Sequence, residues 1–167
     1  GGTMKLIVAV DKNRNIGNNG ELLFSLPDDM KFFRTTTSGK VVVMGRKTLE
    51  SFPGSKPLKN RINIVLSRTK RKAEGAEFVT NVAELLSDLK KYDTDNVYVI
   101  GGAQVYSLLL PYCDTAFVTE IEAAADKADA KFPILKSSEW KLTEQSAVHE
   151  NNGVEFCFTT YKRIKNV

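Results

Sequence analysis

Asp29 stands where a charged residue is least expected. Pro27 opens a helical pattern that runs to about Thr36 or Thr37, Pro being harmless at a first helical position. At about 100° per residue, Phe33 falls about 40° and Phe32 about −60° from Asp29, with Met30 at about 100°. Asp29 therefore lies inside the apolar arc, with Asp28 at its edge and Lys31 opposite. Such a carboxylate must find a partner or hold its proton. It reads either as a helix-start acid favoured by the dipole, or as an acid set among aromatic rings to bind a flat, hydrogen-bonding heterocycle. Three turns carry a second chemistry. Gly45-Arg46-Lys47-Thr48, Ser67-Arg68-Thr69 and Gly101-Gly102 each follow an apolar run. Glycines let a backbone approach a ligand, cations oppose its charge, and helix starts offer free N–H groups. Together they suit a phosphate-rich ligand, although neither GxGxxG nor GxxxxGK[ST] is present. Arg61 reads as a surface charge or as a fork for a substrate carboxylate.

The elements that must position these residues are legible as alternating patterns. Short apolar runs at 6–10, 41–44, 62–66 and 97–100 read as buried strands, with weaker candidates at 77–79 and 116–119. Segments 141–148 and 154–161 flank Asn151-Asn152-Gly153, a hairpin signal. Val82, Leu85, Leu86 and Leu89 recur at helical spacing behind Asn81 and Glu84, which resemble a capping box. A further helix spans 102–110 before Pro111, and a short one starts near Arg46. Strands alternating with helices predict an α/β fold with a mostly parallel sheet, helices on both faces and a C-terminal antiparallel hairpin. In such sheets ligands bind beyond the carboxyl ends of the strands, where the three turns fall.

Composition narrows the classes. A chain of 167 residues with 42% hydrophobic and 26% charged residues predicts one globular domain, here 4–167. Gly1-Gly2-Thr3 read as a cloning remnant. The longest apolar run, 6–10, is far below the roughly 20 residues of a membrane span, so the expected compartment is the cytoplasm. Two cysteines and one histidine, without ligand spacing, predict no metal centre and no disulfide framework. His149, in HENNG, reads as a solvated residue near a hairpin tip. The net charge of +4 points to anionic ligands. Lys70-Arg71-Lys72 read as a solvated basic loop, without the aromatic platform of a nucleic-acid binder.

Taken in order, Ala-Val-Asp with Ile-Gly soon after, Leu-Pro-Asp-Asp (26–29), Val-Met-Gly-Arg-Lys-Thr (43–48), Ile-Val-Leu-Ser-Arg (64–68), Ile-Gly-Gly-Ala-Gln-Val-Tyr (100–106) and a later Phe-Pro resemble bacterial-type dihydrofolate reductases. The resemblance covers essentially all of 4–164. It implies an eight-stranded, mostly parallel sheet and hydride transfer from NADPH to 7,8-dihydrofolate, giving tetrahydrofolate for one-carbon metabolism. It places Asp29 at the pteridine-binding carboxylate, supported by Thr119, with Leu22 and Phe24 at the same centre. Ile7, Phe33, Phe52, Leu58, Arg61 and Ile100 would contact the substrate, Arg61 through the glutamate tail. Ala9, Ile16, Gly45, Arg46, Lys47, Thr48, Leu66, Ser67, Arg68, Gly101, Gly102, Ala103, Gln104, Val105 and Tyr106 would hold the cofactor. Of these, Arg46, Lys47, Ser67 and Arg68 would surround the adenosine 2′-phosphate. Residues 16–24 correspond to a loop closing over the nicotinamide. The resemblance further implies a monomer that binds antifolate inhibitors and neither nucleic acid nor membrane.

One departure is local. Where the family has Pro-Trp, this chain reads Leu23-Phe24, and its sole tryptophan is Trp140. Phenylalanine keeps the bulk but loses the N–H donor. Two other readings use the same turns: a pyrimidine reductase of the same fold, and a non-catalytic NADPH-binding module. The joint presence of Asp29 in its LPxD setting and Arg61 argues against the first, and an intact Asp29 with the 16–24 loop against the second.

Overall fold

The computed structural model describes residues 4–17 and 22–165. The proposed remnant at 1–3 and the middle of the 16–24 loop, 18–21, lie outside the described residues. Continuous apolar runs become the centre of a parallel sheet, because only a strand covered on both faces can be apolar on both. Thus β1 (Met4–Val10), β3 (Val41–Gly45), β4 (Ile62–Leu66), β5 (Ala76–Val79) and β6 (Val97–Gly101) are all mutually parallel, and β7 (Cys113–Ile121) joins β1 in the same sense. The strand β11 (Val154–Arg163) returns antiparallel to β7. β10 (His149–Asn151) and β9 (Trp140–Gln145) both pair with its outer edge. The order is β10-β11-β7-β1-β6-β3-β4-β5, eight positions across.

Among the described residues four α-helices flank the sheet: α1 (Pro27–Thr37), α2 (Arg46–Ser51), α3 (Val82–Leu89) and α4 (Ala103–Leu109). Pro111 ends α4 in a short 3-10 turn, Leu110–Tyr112. The main core lies between the central strands and α3 and α4, and a smaller one beneath α2 joins Val42, Met44, Leu49 and Val65. A third, Leu26, Ile121 and Phe156, sits under the start of α1. Among the described residues no helix is long and apolar enough to cross a membrane.

The differences from expectation are local. The expected strand 141–148 is broken: Ser146 leaves the β9 ladder, and its hydroxyl accepts from the Phe158 N–H at 2.9 Å. Asn152 and Gly153, with φ of 53° and 79°, make the tight turn that the hairpin needs. A two-stranded ribbon of β2 (Asn15–Gly17) and β8 (Ala130–Lys131) had no apolar signature. The capping of α3 is shared. The Asn81 side chain accepts from Glu84 N–H at 2.8 Å, but the Glu84 carboxylate reaches Thr80, N–H at 3.0 Å and hydroxyl at 2.9 Å. His149 is not simply solvated. It is half-buried, its ring centroid 5.6 Å from Phe156 and 5.0 Å from Phe158.

Candidate active site

Asp29 sits in the first turn of α1, where the apolar stripe turns it onto the sheet. Thr119 faces it from β7, and its hydroxyl donates to Asp29 Oδ1 at 2.6 Å across 90 residues of chain. Thr119 is opposite Ala9 of β1 on one side and Phe158 of β11 on the other. Burial pushes the Asp29 carboxyl above the usual carboxylate range, against the opposing effect of the Thr119 bond. The acid opens onto a small cleft, which Ala9, Ile16, Leu22 and Phe24 also line. Asn15, Leu23, Leu26, Met30 and Ile121 line it too and were missed. Ile121 was within reach of sequence reasoning, because residues two apart on a strand share a face and Thr119 was already assigned.

The remaining substrate candidates divide. Phe52, Leu58 and Ile100 pack together on the core beneath α2. Phe33 is half-buried on α1. Ile7 is 5% exposed, and its carbonyl accepts from the Tyr106 hydroxyl at 2.6 Å. Tyr106 is thus a buried strut between α4 and β1, its hydroxyl pushed upward by burial and by the Asp29 charge. Arg61 lies at the far end of α1, donating to the Lys59 carbonyl at 2.9 Å and the Thr37 hydroxyl at 3.2 Å. Burial and the neighbouring Arg34 charge both lower its pKa, so this corner favours an anion. Asp29 and Thr37 are eight residues apart, about 12 Å along a helix. A ligand lying along α1 would meet an acid at one end and two cations at the other.

The three turns come together because their strands are neighbours. Gly101 is opposite Met44, and Gly45 is opposite Leu66. A Cβ on Gly45 would come within 3.0 Å of Val105, so glycine is what lets β3 end against α4. Gly101 has φ of +121°, a conformation reserved for glycine, and a Cβ there would meet the Tyr106 ring at 3.3 Å. Gly102 precedes α4 without a side-chain cap and faces Thr48. Ala103 is half-buried at the helix start and Gln104 is exposed beside it. Ser67 is buried, and Lys47 and Arg68 are exposed. Arg46 is not free: its Nη1 donates to both Glu50 oxygens, at 3.1 and 3.0 Å. The glycine cradle, the uncapped helix start and the surrounding cations suit a dinucleotide with an extra phosphate.

The family model for dihydrofolate reductase matches residues 3–163. The chain belongs to the dihydrofolate reductase family. The dihydrofolate reductase of Bacillus subtilis is 36% identical over 163 residues, covering 96% of this chain and 94% of that protein. That of Haemophilus influenzae is 37% identical over 140 residues, 84% of each. Among solved structures, a dihydrofolate reductase from Enterococcus faecalis complexed with NADP(H) and RAB-propyl superposes with a TM-score of 0.87 at 35% identity, covering 98% of both chains. The family fold is therefore the one described above.

Proposed function

We propose that the chain catalyses the NADPH-dependent reduction of 7,8-dihydrofolate to 5,6,7,8-tetrahydrofolate, with Asp29 as the residue that binds the pterin and assists its protonation at N5. The observation that carries this reading is the part-buried Asp29–Thr119 pair at 2.6 Å on the wall of a largely apolar cleft. NADPH, when bound, supplies the hydride. Everything else falls to the chain. Thr119 fixes Asp29 Oδ1, and Oδ2 is assigned to the pterin's 2-amino and N3 edge. Burial keeps the carboxyl closer to its protonated form, as a proton-assisting group near neutral pH requires. Ala9, Ile16 and Phe24 line the cleft beside that edge, with the exposed Leu22 at its mouth. Phe33, Phe52, Leu58, Ile100 and the buried Ile7 stand further along the pterin and benzoyl path, and Arg61 with Arg34 receives the glutamate tail.

On the cofactor side, Gly101 to Val105 and Thr48 receive the pyrophosphate, and Tyr106 braces the turn. Gly45 and Leu66 set the strand ends. Arg46, Lys47, Ser67 and Arg68 oppose the 2′-phosphate, which competes with Glu50 for Arg46. In this reading the chain acts as a cytoplasmic monomer on small molecules rather than nucleic acid. Antifolate inhibitors would occupy the Asp29 cleft. The Lys70 ammonium, 3.1 Å from Glu84, supports a structural use of the basic loop.

The deciding experiment follows NADPH oxidation at 340 nm with and without dihydrofolate. The expected result is oxidation strictly dependent on dihydrofolate and stoichiometric with tetrahydrofolate. No dependence at high protein concentration overturns the reading.

A further inference from the structure

The start of α1 lacks a cap of its own. Leu26 occupies the cap position and offers no side-chain acceptor, and Pro27 has no N–H. The first helical N–H that needs a partner belongs to Asp28, next to the residue on which the site depends. Its partner arrives from 123 residues away: the Asn151 side-chain carbonyl, at the end of β10, accepts from Asp28 N–H at 2.9 Å. The same amide donates back to Asp28 Oδ2 at 3.1 Å and to the Glu150 carbonyl at 2.7 Å. Next to it Asn152 donates to the Ser25 carbonyl at 3.1 Å, gripping the chain as it enters α1. Beneath both elements Leu26, Ile121 and Phe156 form one buried cluster, so the hairpin and the helix start pack on a shared core.

We propose that Asn151 is a positioning residue for Asp29: its side chain caps α1 from the hairpin and, with Thr119, fixes the acid from two sides. Thr119 holds the Asp29 side chain from β7, and Asn151 holds the backbone one residue before it. Asn151 touches no reacting atom and acts only through Asp28 and the first turn. The amide is suited to this pairing, with an acceptor toward the N–H and a donor toward the carboxylate. The inference rests on Asp29 as the pterin-binding acid.

The test exchanges the two partners. Asn151→Asp keeps an acceptor for the N–H but sets a carboxylate against Asp28. Combining it with Asp28→Asn restores a donor–acceptor pair. Steady-state kinetics, direct titration of NADPH and thermal melts are measured for both, and for Asn151→Ala. An N-cap loss corresponds to about a fivefold change in an equilibrium. We expect kcat/KM for dihydrofolate to fall about fivefold in either single Asn151 variant. The NADPH affinity should stay at its original value, and the exchanged pair should recover to within about twofold. Single variants that lose only melting temperature, an equal loss of NADPH affinity, or no recovery in the exchanged pair would overturn the inference. Asn151→Ala decides the matter if Asn151→Asp does not fold. Asp29→Asn run alongside separates the two assignments: unchanged turnover there removes the underlying role of Asp29, whereas lost turnover with normal Asn151 variants removes only the role of Asn151.

Discussion

At the scale of single residues, Asp29 sets an ionisable carboxyl half-buried against the fully buried Thr119. Its carboxyl lies above the ordinary range because burial outweighs the Thr119 hydroxyl bond. Asp29→Asn keeps an acceptor for Thr119 and fills the same volume, but holds no titratable proton. Turnover at neutral pH should fall by about 100-fold or more, the scale of a lost proton-assisting group. Rates compared across pH check this, because the deficit should shrink at acid pH, where the substrate arrives already protonated. The sign for stability is opposite. A raised folded-state pKa means stability is fully present below the ordinary carboxylate value and is lost as pH rises through the raised one. Asn has no such loss, so the variant should melt higher than the parent above that window and level with it below. Equal melting curves at every pH would contradict a half-buried Asp29 with a raised pKa.

At the scale of elements, what was legible and what was not divides along one physical line. Strands covered on both faces announce themselves as apolar runs, and β1, β3, β4 and β6 lie where their residues predict. The β2–β8 ribbon is two and three residues long and held by backbone pairing, which leaves no side-chain pattern to read. What organises it is Asp11, only 3% exposed. Burial raises its pKa, but hydrogen bonds from Ala125 N–H (2.9 Å), the Asn15 side chain (2.9 Å) and the Asn15 and Asn13 N–H groups (both 2.8 Å) together hold it below the ordinary value. Asp11 therefore joins the cleft-lining Asn15 to the 123–125 segment, where Lys12 N–H also donates to the Ala123 carbonyl at 3.0 Å. Asp11→Ala orphans four donors and should cost about 3 kcal/mol in a denaturant titration. The parent's advantage should be full above the ordinary carboxylate value and fade as pH falls through the lowered one. A loss below about 0.5 kcal/mol would be that of an ordinary surface site and would remove Asp11 from this role.

At the scale of the whole molecule, the site exists only because the sheet brings distant pieces together. Asp29 and Thr119 are 90 residues apart, and the three anion-suited turns become neighbours through the order β6-β3-β4. Composition could suggest an anionic ligand and the order of motifs could suggest a family. Neither could show that Glu50 already holds Arg46, or that the hairpin caps α1, since both depend on side-chain geometry in the folded state. A ligand touching so many elements should stabilise all of them together. Binding at about 100 times Kd adds about 2.7 kcal/mol. For a chain of this length each kcal/mol raises the melting temperature by about 2–4 °C, so NADPH should raise it by about 5–10 °C. NADH at the same concentration lacks the phosphate that Arg46, Lys47, Ser67 and Arg68 are assigned to hold, and its shift should be clearly smaller. Calorimetry with the two nucleotides side by side makes the comparison. Equal shifts would mean that these cations serve some other purpose, and that the Gly101-Gly102 turn alone accounts for cofactor binding.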